Sequence, residues 1–177
     1  DGTVNGEPTE AALVVWANNL GLAKTDLKKE LPRSGEAPFD SGRKLMSTVH
    51  PQDGKFIQFT KGAPDVILDR CVSYLKDGQP VPMTDEYRQQ ILKGNKAMAD
   101  KALRVLACAQ RVWNAEPASY EAADLETDLC FVGLSGMIDP VRPEVKDAIC
   151  ECRGAGITPI MITGDHVDTA VAIAKEL

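Results

Sequence analysis

The sequence predicts an α/β (α+β) protein in two parts, an antiparallel sheet flanked by helices followed by a unit of parallel strands and helices. Two observations carry this prediction. In the first part, strand-like runs come in pairs joined by turn sequences, such as 43–50 and 55–60 around Pro51-Gln52-Asp53-Gly54. After residue 129, apolar strand-like runs alternate with helical patterns over short connections, which is typical of parallel pairing.

The elements of the first part each have a local signal. Pro8 fits the first turn of a helix over 8–20, whose apolar residues form one stripe and which Gly21 ends. Thr84 is a suitable N-cap for a second long helix. That helix is predicted over 85–101, and the other predicted elements of this part are helices over 25–31 and 63–69, a hairpin over 72–81 and a strand over 103–112.

The second part is predicted to follow a linker over 114–128 that is rich in Ala and Glu. We place the domain boundary there, which gives a first domain of residues 1–127 and a second, partial domain of residues 128–177. The elements predicted for the second domain are a strand over 129–138, a helix over 143–153 that Pro143 begins and Gly154 ends, a strand over 157–162 and a helix over 168–177.

Composition and charge exclude several classes of protein. Hydrophobic residues make up 44% and charged residues 26%, which is the balance of a folded globular chain. The net charge of -6 argues against nucleic acid as a partner, because such surfaces call for an excess of Lys and Arg. No run approaches the ~20 consecutive apolar residues that cross a bilayer, so we expect this chain itself not to be membrane-inserted. Five cysteines without a CxxC spacing favour a reducing compartment.

Several familiar nucleotide and catalytic signatures are absent. The sequence has no GxxxxGK[ST] loop, and Gly154-Ala155-Gly156 follows a helix instead of a strand and lacks a third glycine. His50 and His166 have no catalytic-triad context, so we expect them to be surface residues. If this chain binds a nucleotide, it uses a different arrangement.

Two stretches place cations beside positions that a ligand could reach. Lys61 stands where a strand ends and a helix begins, and Gly62 would let a ligand approach the backbone. Phe39 precedes Arg43 and Lys44, which suits stacking on a planar base with a positive charge nearby. The spacing leaves open the alternative that Phe39 is a core residue with solvated basic neighbours.

Two further stretches suit phosphate. Arg104 begins a strand with a guanidinium that can contact phosphate through two parallel bonds, although an arginine alone is more often a surface ion-pair residue. The run Thr163-Gly164-Asp165 follows a predicted parallel strand at its carboxyl end. Open α/β sheets bind ligands at that end, where the next helix offers free backbone donors.

Together these stretches resemble the P-type cation-transporting ATPases, and the resemblance covers nearly the whole chain. Residues 60–65 read TKGAPD and look like the family's KGAPE segment, while residues 6–13 read GEPTEAAL and are similar to a helix start of the family. Residues 39–47 read FDSGRKLMS and resemble the calcium pumps. Residues 139–142 are similar to the DPPR hinge motif and residues 161–165 to the MxTGD motif.

The resemblance implies a nucleotide pocket built from separate segments. It puts Glu10 beside the nucleotide, Phe39 against adenine and Lys44 in the lining. Lys61 and Gly62 come from the KGAP segment, and Lys61 is either a point charge at the phosphates or a cation near the base.

The remaining implied positions complete the pocket and the phosphate side. Arg104 and Leu106 match an arginine and a leucine that bound the same pocket in the family. The positions that match the hinge and the phosphate-side motif are Asp139, Arg142, Thr163, Gly164 and Asp165.

The resemblance also implies a function. ATP or ADP would bind here, with Mg²⁺ in the intact pump, and the partners would be the remaining domains of the same membrane protein, of which this is a cytoplasmic piece. A haloacid-dehalogenase-like βαβα unit is implied for residues 128–177. The family's phosphorylated aspartate lies in a DKTGT motif that the 177 residues lack, so we expect ATP to be bound but not hydrolysed.

One departure and two rival functions stay open. Ser41 stands where calcium pumps often carry an arginine, and calcium specificity rests only on residues 39–47. The rivals are a haloacid-dehalogenase-like phosphatase and a free-standing nucleotide sensor. The phosphatase is disfavoured because no aspartate appears in an N-terminal DxD setting, and the sensor because residues 128–177 would form half a parallel sheet with an open edge.

Overall fold

The computed structural model describes residues 6–138, 141–163 and 167–177. Its helices are α1 (Pro8–Asn19), α2 (Lys24–Glu30), α3 (Pro64–Asp69), α4 (Asp85–Ala99), α5 (Ala122–Leu125), α6 (Pro143–Gly154) and α7 (Val167–Glu176). Its strands are β1 (Gly35–Asp40), β2 (Leu45–Gln52), β3 (Lys55–Gly62), β4 (Cys71–Lys76), β5 (Gln79–Pro82), β6 (Leu103–Trp113) and β7 (Leu129–Ile138).

The strands form one seven-stranded sheet in the order β1-β2-β3-β6-β7-β4-β5. The pairs β1–β2, β2–β3, β3–β6 and β4–β5 are antiparallel, and β4–β7 is parallel. This mostly antiparallel sheet, accompanied by helices, confirms the fold class predicted for the first part of the chain.

Two predicted hairpins form because their turns are encoded locally. Asp53 and Gly54 join β2 to β3 with φ angles of 50° and 75°, and Asp77 and Gly78 join β4 to β5 with φ angles of 50° and 79°. Two consecutive positive φ angles match the twist of an antiparallel pair, and Asp-Gly tolerates them well. The turn residues therefore determine both hairpins.

One face of the sheet is the core face. Along β2, Leu45, Ser47 and Val49 are buried, and cross-strand pairing places Thr60 opposite Ser47 and Gln58 opposite Val49. Side chains alternate between the two faces of a strand, so these residues share one face. The apolar core includes Ala37, Val49 and Leu125.

The buried polar groups of the core face bond to one another. The hydroxyls of Ser47 and Thr60 lie 2.8 Å apart, and Gln58 Nε2 donates to Thr60 at 2.9 Å and to the carbonyl of Leu125 at 2.8 Å. Trp113 Nε1 donates to Gln58 Oε1 at 3.0 Å. Because a buried polar group without a partner costs about 1–3 kcal/mol, this network lets a polar strand centre pack inside.

Two elements were not predicted from the sequence. β1 contains Gly35 and Pro38, which are unfavourable inside a sheet, but β1 lies at the sheet edge, where proline is tolerated. α5 is four residues long and lies inside the predicted linker. Neither has a hydrophobic period long enough to be recognised locally.

The strand predicted over 157–162 is wrong, since these residues have no strand structure. Ile160 and Ile162 are 81% and 93% exposed. A strand needs a neighbour to pair its backbone groups, and none of the described strands pairs with this run. β7, predicted to open the second part, belongs to the seven-stranded sheet, so the haloacid-dehalogenase-like unit is not confirmed.

The chain divides into two compact units. The first comprises residues up to Thr84 together with Leu106–Ser135, and the second comprises Asp85–Val105 together with Gly136–Leu177. Within the second unit, α4 contacts α7. The domain boundary at residues 127 and 128 stays a prediction. Among the described residues, no helix is both long and apolar enough to cross a membrane.

Candidate functional site

A cavity of about 430 Å³ lies on the face of the sheet opposite the core face. We call this side the cavity face. Two cross-strand rows line the cavity: Met46, Lys61 and Cys108 form one, and Thr48, Phe59 and Gln110 form the other. Helix α1 contributes Glu10, Leu13, Val14 and Ala17 to the lining.

An ion pair joins the sheet to α1 inside this cavity. Lys61 lies near the end of β3, and its ammonium bonds the carboxylate of Glu10 in the first turn of α1. The side chains of Lys61 and Glu10 are 27% and 54% exposed, so water screens their attraction. Such a pair contributes ~0–1 kcal/mol, which is little enough for a ligand phosphate to compete for the lysine.

Cys108 is the neighbour of Lys61 in its cross-strand row. Burial raises the pKa of the Cys108 thiol, and the positive charge of Lys61 acts in the opposite direction more weakly. The thiol form therefore persists at neutral pH, and the row presents a neutral, polarisable group beside the cation.

Phe39 lies at the end of β1, and its side chain is 63% exposed. A ring this exposed does not contribute to the core, so the alternative of a core phenylalanine is wrong. An exposed aromatic ring can stack on a planar ligand. The ring therefore meets the requirement for a stacking residue, although base contact stays a prediction.

Lys44 is exposed and has a φ angle of 58°, which lies in the left-handed region. Its backbone N–H donates to the carbonyl of Asp40 at 2.7 Å, and its carbonyl accepts from Ala63 N at 3.1 Å. Gly62 lies beneath that carbonyl, where a Cβ would collide with the Lys44 oxygen and would lie 2.6 Å from Leu45 Cδ2. Packing on the core face therefore requires glycine at position 62, and contact between Gly62 and a ligand stays a prediction.

The predicted site residues separate into distinct groups. Glu10 and Lys61 meet in the cavity, while Phe39 and Lys44 lie at the two ends of the β1–β2 connection. Leu106 shares the face of β6 that bears Cys108, by strand alternation.

The remaining predicted positions have other locations. Arg104 is half-buried near the start of β6, Arg142 is the N-cap residue of α6, and Thr163 is exposed. Asp139, Gly164 and Asp165 lie outside the described residues, as does His166. His50 was predicted to be a surface residue, but it is half-buried. Its Nδ1 lies 3.0 Å from the Leu31 carbonyl, and its Nε2 lies 2.9 Å from Thr48 Oγ1.

Sequence reasoning missed the cavity residues Met46, Thr48, Cys108 and Gln110. Strand alternation gives a partial signal, because all four share the cavity face with Lys61. The register that aligns them across three strands is a tertiary property and cannot be read from one segment.

Comparison with known proteins identifies the family. Residues 1–144 match the family model described as P-type ATPase, cytoplasmic domain N. The chain is 49% identical over 172 residues to "Calcium-transporting ATPase 1" of Bacillus cereus, covering 97% of the chain and 19% of that protein. It is 44% identical over 177 residues to "Calcium-transporting ATPase 1" of Lactococcus lactis, covering 100% of the chain and 20% of that protein.

A more distant relative has a different name. The chain is 36% identical over 183 residues to "Sodium/potassium-transporting ATPase subunit alpha" of Tetronarce californica, covering 98% of the chain and 18% of that protein. The chain thus spans about a fifth of the length of the curated relatives it matches. With a family model matched over most of its residues, the chain belongs to the P-type ATPases and contains their cytoplasmic domain N.

Proposed function

We propose that this chain binds ATP on the cavity face of its sheet, as the nucleotide-binding part of an ATP-driven cation pump. The observation that carries the proposal is the cavity of about 430 Å³ in which Lys61 faces Glu10. Small-molecule sites commonly occupy ~300–1,000 Å³, so this space is large enough for a nucleotide moiety. Membership of the P-type ATPases supports ATP as the ligand.

Stacking and charge have separate roles in the proposed site. The exposed ring of Phe39 stacks on adenine, and Lys44 contributes positive charge from the neighbouring turn. Lys61 exchanges its Glu10 partner for the nucleotide. Gly62, Arg104 and Leu106 are proposed to complete the site, as in the family that the sequence resembles.

The steps after binding are proposed to need other parts of a longer protein. The 177 residues contain no DKTGT, so the aspartate that accepts the γ-phosphoryl group is proposed to lie elsewhere. Residues 128–177 are proposed to begin the phosphorylation domain, with Asp139, Arg142, Thr163, Gly164 and Asp165 on its hinge and phosphate side. Calcium is proposed as the transported ion because several relatives are named for calcium transport.

Mg²⁺ is proposed to arrive bound to ATP. Within the described ranges, no group of three or more His, Cys, Asp or Glu side chains is placed to hold a metal ion. No Mg²⁺ ligand is therefore assigned among the residues that the structure describes.

Titration of the 177-residue chain with ATP tests the proposed function. We expect a Kd on the order of 0.1–1 mM, or about -5.5 to -4.1 kcal/mol, because the DKTGT segment that is proposed to complete the phosphate side of the site is not among the 177 residues. Calorimetry measures the affinity, and phosphate release in the same preparation is expected to stay at background. A chain that gives no heat with millimolar ATP would contradict the proposal.

The Phe39→Ala variant is expected to weaken ATP, ADP and AMP alike by ~1–3 kcal/mol, because each loses the same base stacking. Its unfolding midpoint is expected to change little, since the ring is 63% exposed. Trp16→Ala is the matched control, because Trp16 is a similarly exposed aromatic (59%) that lies on helix α1 and has no proposed contact with the base. Equal affinities for the wild type and Phe39→Ala would remove the stacking role.

ATP is expected to protect Lys61 from an amine-reactive probe, because a bound nucleotide covers the ammonium. Lys55, at the other end of β3, is the internal control, and its labelling is expected to be the same with and without ATP. Lys61→Gln is expected to lower affinity while changing stability little, because glutamine keeps most of the side-chain stem. Unchanged labelling of Lys61 in a chain saturated with ATP would exclude Lys61 from the site.

A further inference from the structure

The β1–β2 turn, residues 40–44, follows a break in the sheet ladder. Pairing between β1 and β2 is regular from Gly35 to Ala37, and the register then shifts before Asp40 pairs with Leu45. Phe39 lies inside this irregular stretch. Regular ladder bonds therefore do not fix the backbone that carries the ring, and other groups must hold it.

Arg43 supplies such bonds. Its guanidinium donates to the carbonyl of Pro38 at 2.5 Å and to the carbonyl of Leu45 at 3.4 Å. Pro38 immediately precedes Phe39, and Leu45 immediately follows Lys44. The side chain of Arg43 thus joins the two ends of the segment that carries both predicted nucleotide-binding residues, and its backbone N–H bonds Asp40 Oδ1 at 2.8 Å.

Glu126 holds Arg43 in this position. Arg43 Nη1 donates to Glu126 Oε1 at 2.5 Å, and the Glu126 side chain is 0% exposed. Glu126 directly follows α5, 83 residues away in sequence from Arg43. A wholly buried carboxylate is costly unless it is paired, so the buried position of Glu126 depends on its ion pair with Arg43.

A second arginine shares the same carboxylate. Arg70 Nη1 donates to the backbone carbonyl of Glu126 at 3.0 Å and lies 3.5 Å from Oε2. Arg70 is the C-cap residue of α3 and bonds Glu126 from that helix. The two arginines therefore neutralise one buried charge together, but only Arg43 connects that charge to the backbone beside Phe39.

We propose that Arg43, held by the buried carboxylate of Glu126, is a positioning residue for the nucleotide base: it fixes the backbone on both sides of the β1–β2 turn so that Phe39 presents its ring to adenine. This inference rests on the proposed function. A planar guanidinium suits the task, because its fixed fork can bond a carboxylate and backbone carbonyls at once, whereas a lysine ammonium has no such rigid geometry. The proposal gives Arg43 no contact with the nucleotide.

The test compares Arg43→Met with Arg70→Met, because both variants remove one arginine from Glu126. Arg43→Met is expected to weaken ATP and AMP about tenfold, within the range of a lost base stack. Arg70→Met is expected to change both affinities by less than about twofold, even where it lowers the unfolding midpoint as much. Inorganic tripolyphosphate has no base, so the wild type, Arg43→Met and Arg70→Met are expected to bind it with the same affinity.

A double-mutant cycle asks whether Arg43 acts through Phe39. In the Phe39→Ala background, Arg43→Met is expected to have an effect of less than about twofold on AMP, because the ring that it positions is gone. If Arg43→Met does not fold, Arg43→Lys takes its place, because lysine keeps the positive charge but lacks the guanidinium fork. Arg43→Lys is expected to lower the affinity for AMP and to leave the affinity for tripolyphosphate unchanged.

Four results would overturn the inference. Equal AMP affinities in the wild type and the folded Arg43 variants would remove the positioning role. An undiminished Arg43→Met effect in the Phe39→Ala background, or an equal loss of tripolyphosphate, would make Arg43 a general charge instead of a positioning residue. Failure of the wild type to bind ATP or AMP would contradict the proposed function itself, and the inference with it; this result is distinct because it appears before any substitution.

Discussion

The Glu126→Ala variant is expected to lose about 3–5 kcal/mol of unfolding free energy, because removing one partner of a buried ion pair leaves the others uncompensated. Arg43 and Arg70 would keep their guanidinium groups without the carboxylate, and a cavity would replace a side chain that is 0% exposed. Urea unfolding, followed by tryptophan fluorescence and circular dichroism, measures the loss. Because Arg43 and Arg70 are 25% and 33% exposed, water can partly solvate them, which favours the lower end of this range.

Glu121→Ala is the matched control for this prediction. Glu121 is an exposed glutamate at the other end of α5 and makes no side-chain cap bond. Its replacement is expected to change stability by less than about 0.5 kcal/mol, as for most surface substitutions. If Glu126→Ala lost no more than Glu121→Ala, the buried carboxylate would not stabilise the fold.

The Gly62→Ala variant is expected to lose about 1–3 kcal/mol, because an added methyl group would overpack the end of β3. The new Cβ would collide with the carbonyl oxygen of Lys44 and would lie 3.0 Å from Leu45 Cα. Both contacts involve backbone, which cannot rotate away as the tip of a side chain can. The shift would also weaken the bond from Ala63 N to the Lys44 carbonyl, now 3.1 Å.

Gly133→Ala is the control for this effect, because Gly133 also lies in a strand of the same sheet, and a Cβ there would meet no atom within 4 Å. This variant is expected to keep or slightly raise stability, by up to about 1 kcal/mol, since alanine reduces the freedom of the unfolded chain. Thermal unfolding of both variants gives the comparison. Similar midpoints for Gly62→Ala and Gly133→Ala would contradict the packing reason assigned to Gly62.

Local signals predicted most of the helices and hairpins. α1, α3 and α6 each have proline in the first turn, and the Asp-Gly pairs at 53–54 and 77–78 produce the two-residue turns of the hairpins. These features act within a few residues, so their outcome hardly depends on the rest of the fold. The edge strand β1 and the short helix α5 lack such signals, and neighbouring elements stabilise them.

The candidate site also has features that the local sequence predicted and features that depend on the fold. Residue type and motif order identified Glu10, Phe39 and Lys61 as candidates, and the structure describes an ion pair between Glu10 and Lys61 across 51 residues of sequence. The motifs did not predict this pair. They also did not predict which neighbours line the cavity, because the register of β2, β3 and β6 selects them.

The sequence by itself determined the family resemblance, the residue types of the candidate nucleotide site, and the helices and hairpins with proline or Asp-Gly signals. Only the tertiary structure decided that Gly62 faces the core, that Glu126 is buried between Arg43 and Arg70, and that residues 157–162 form no strand. The physical reason is that burial and strand pairing depend on partners distant in sequence. A buried carboxylate needs arginines from other elements, and a strand needs a neighbour to pair its backbone.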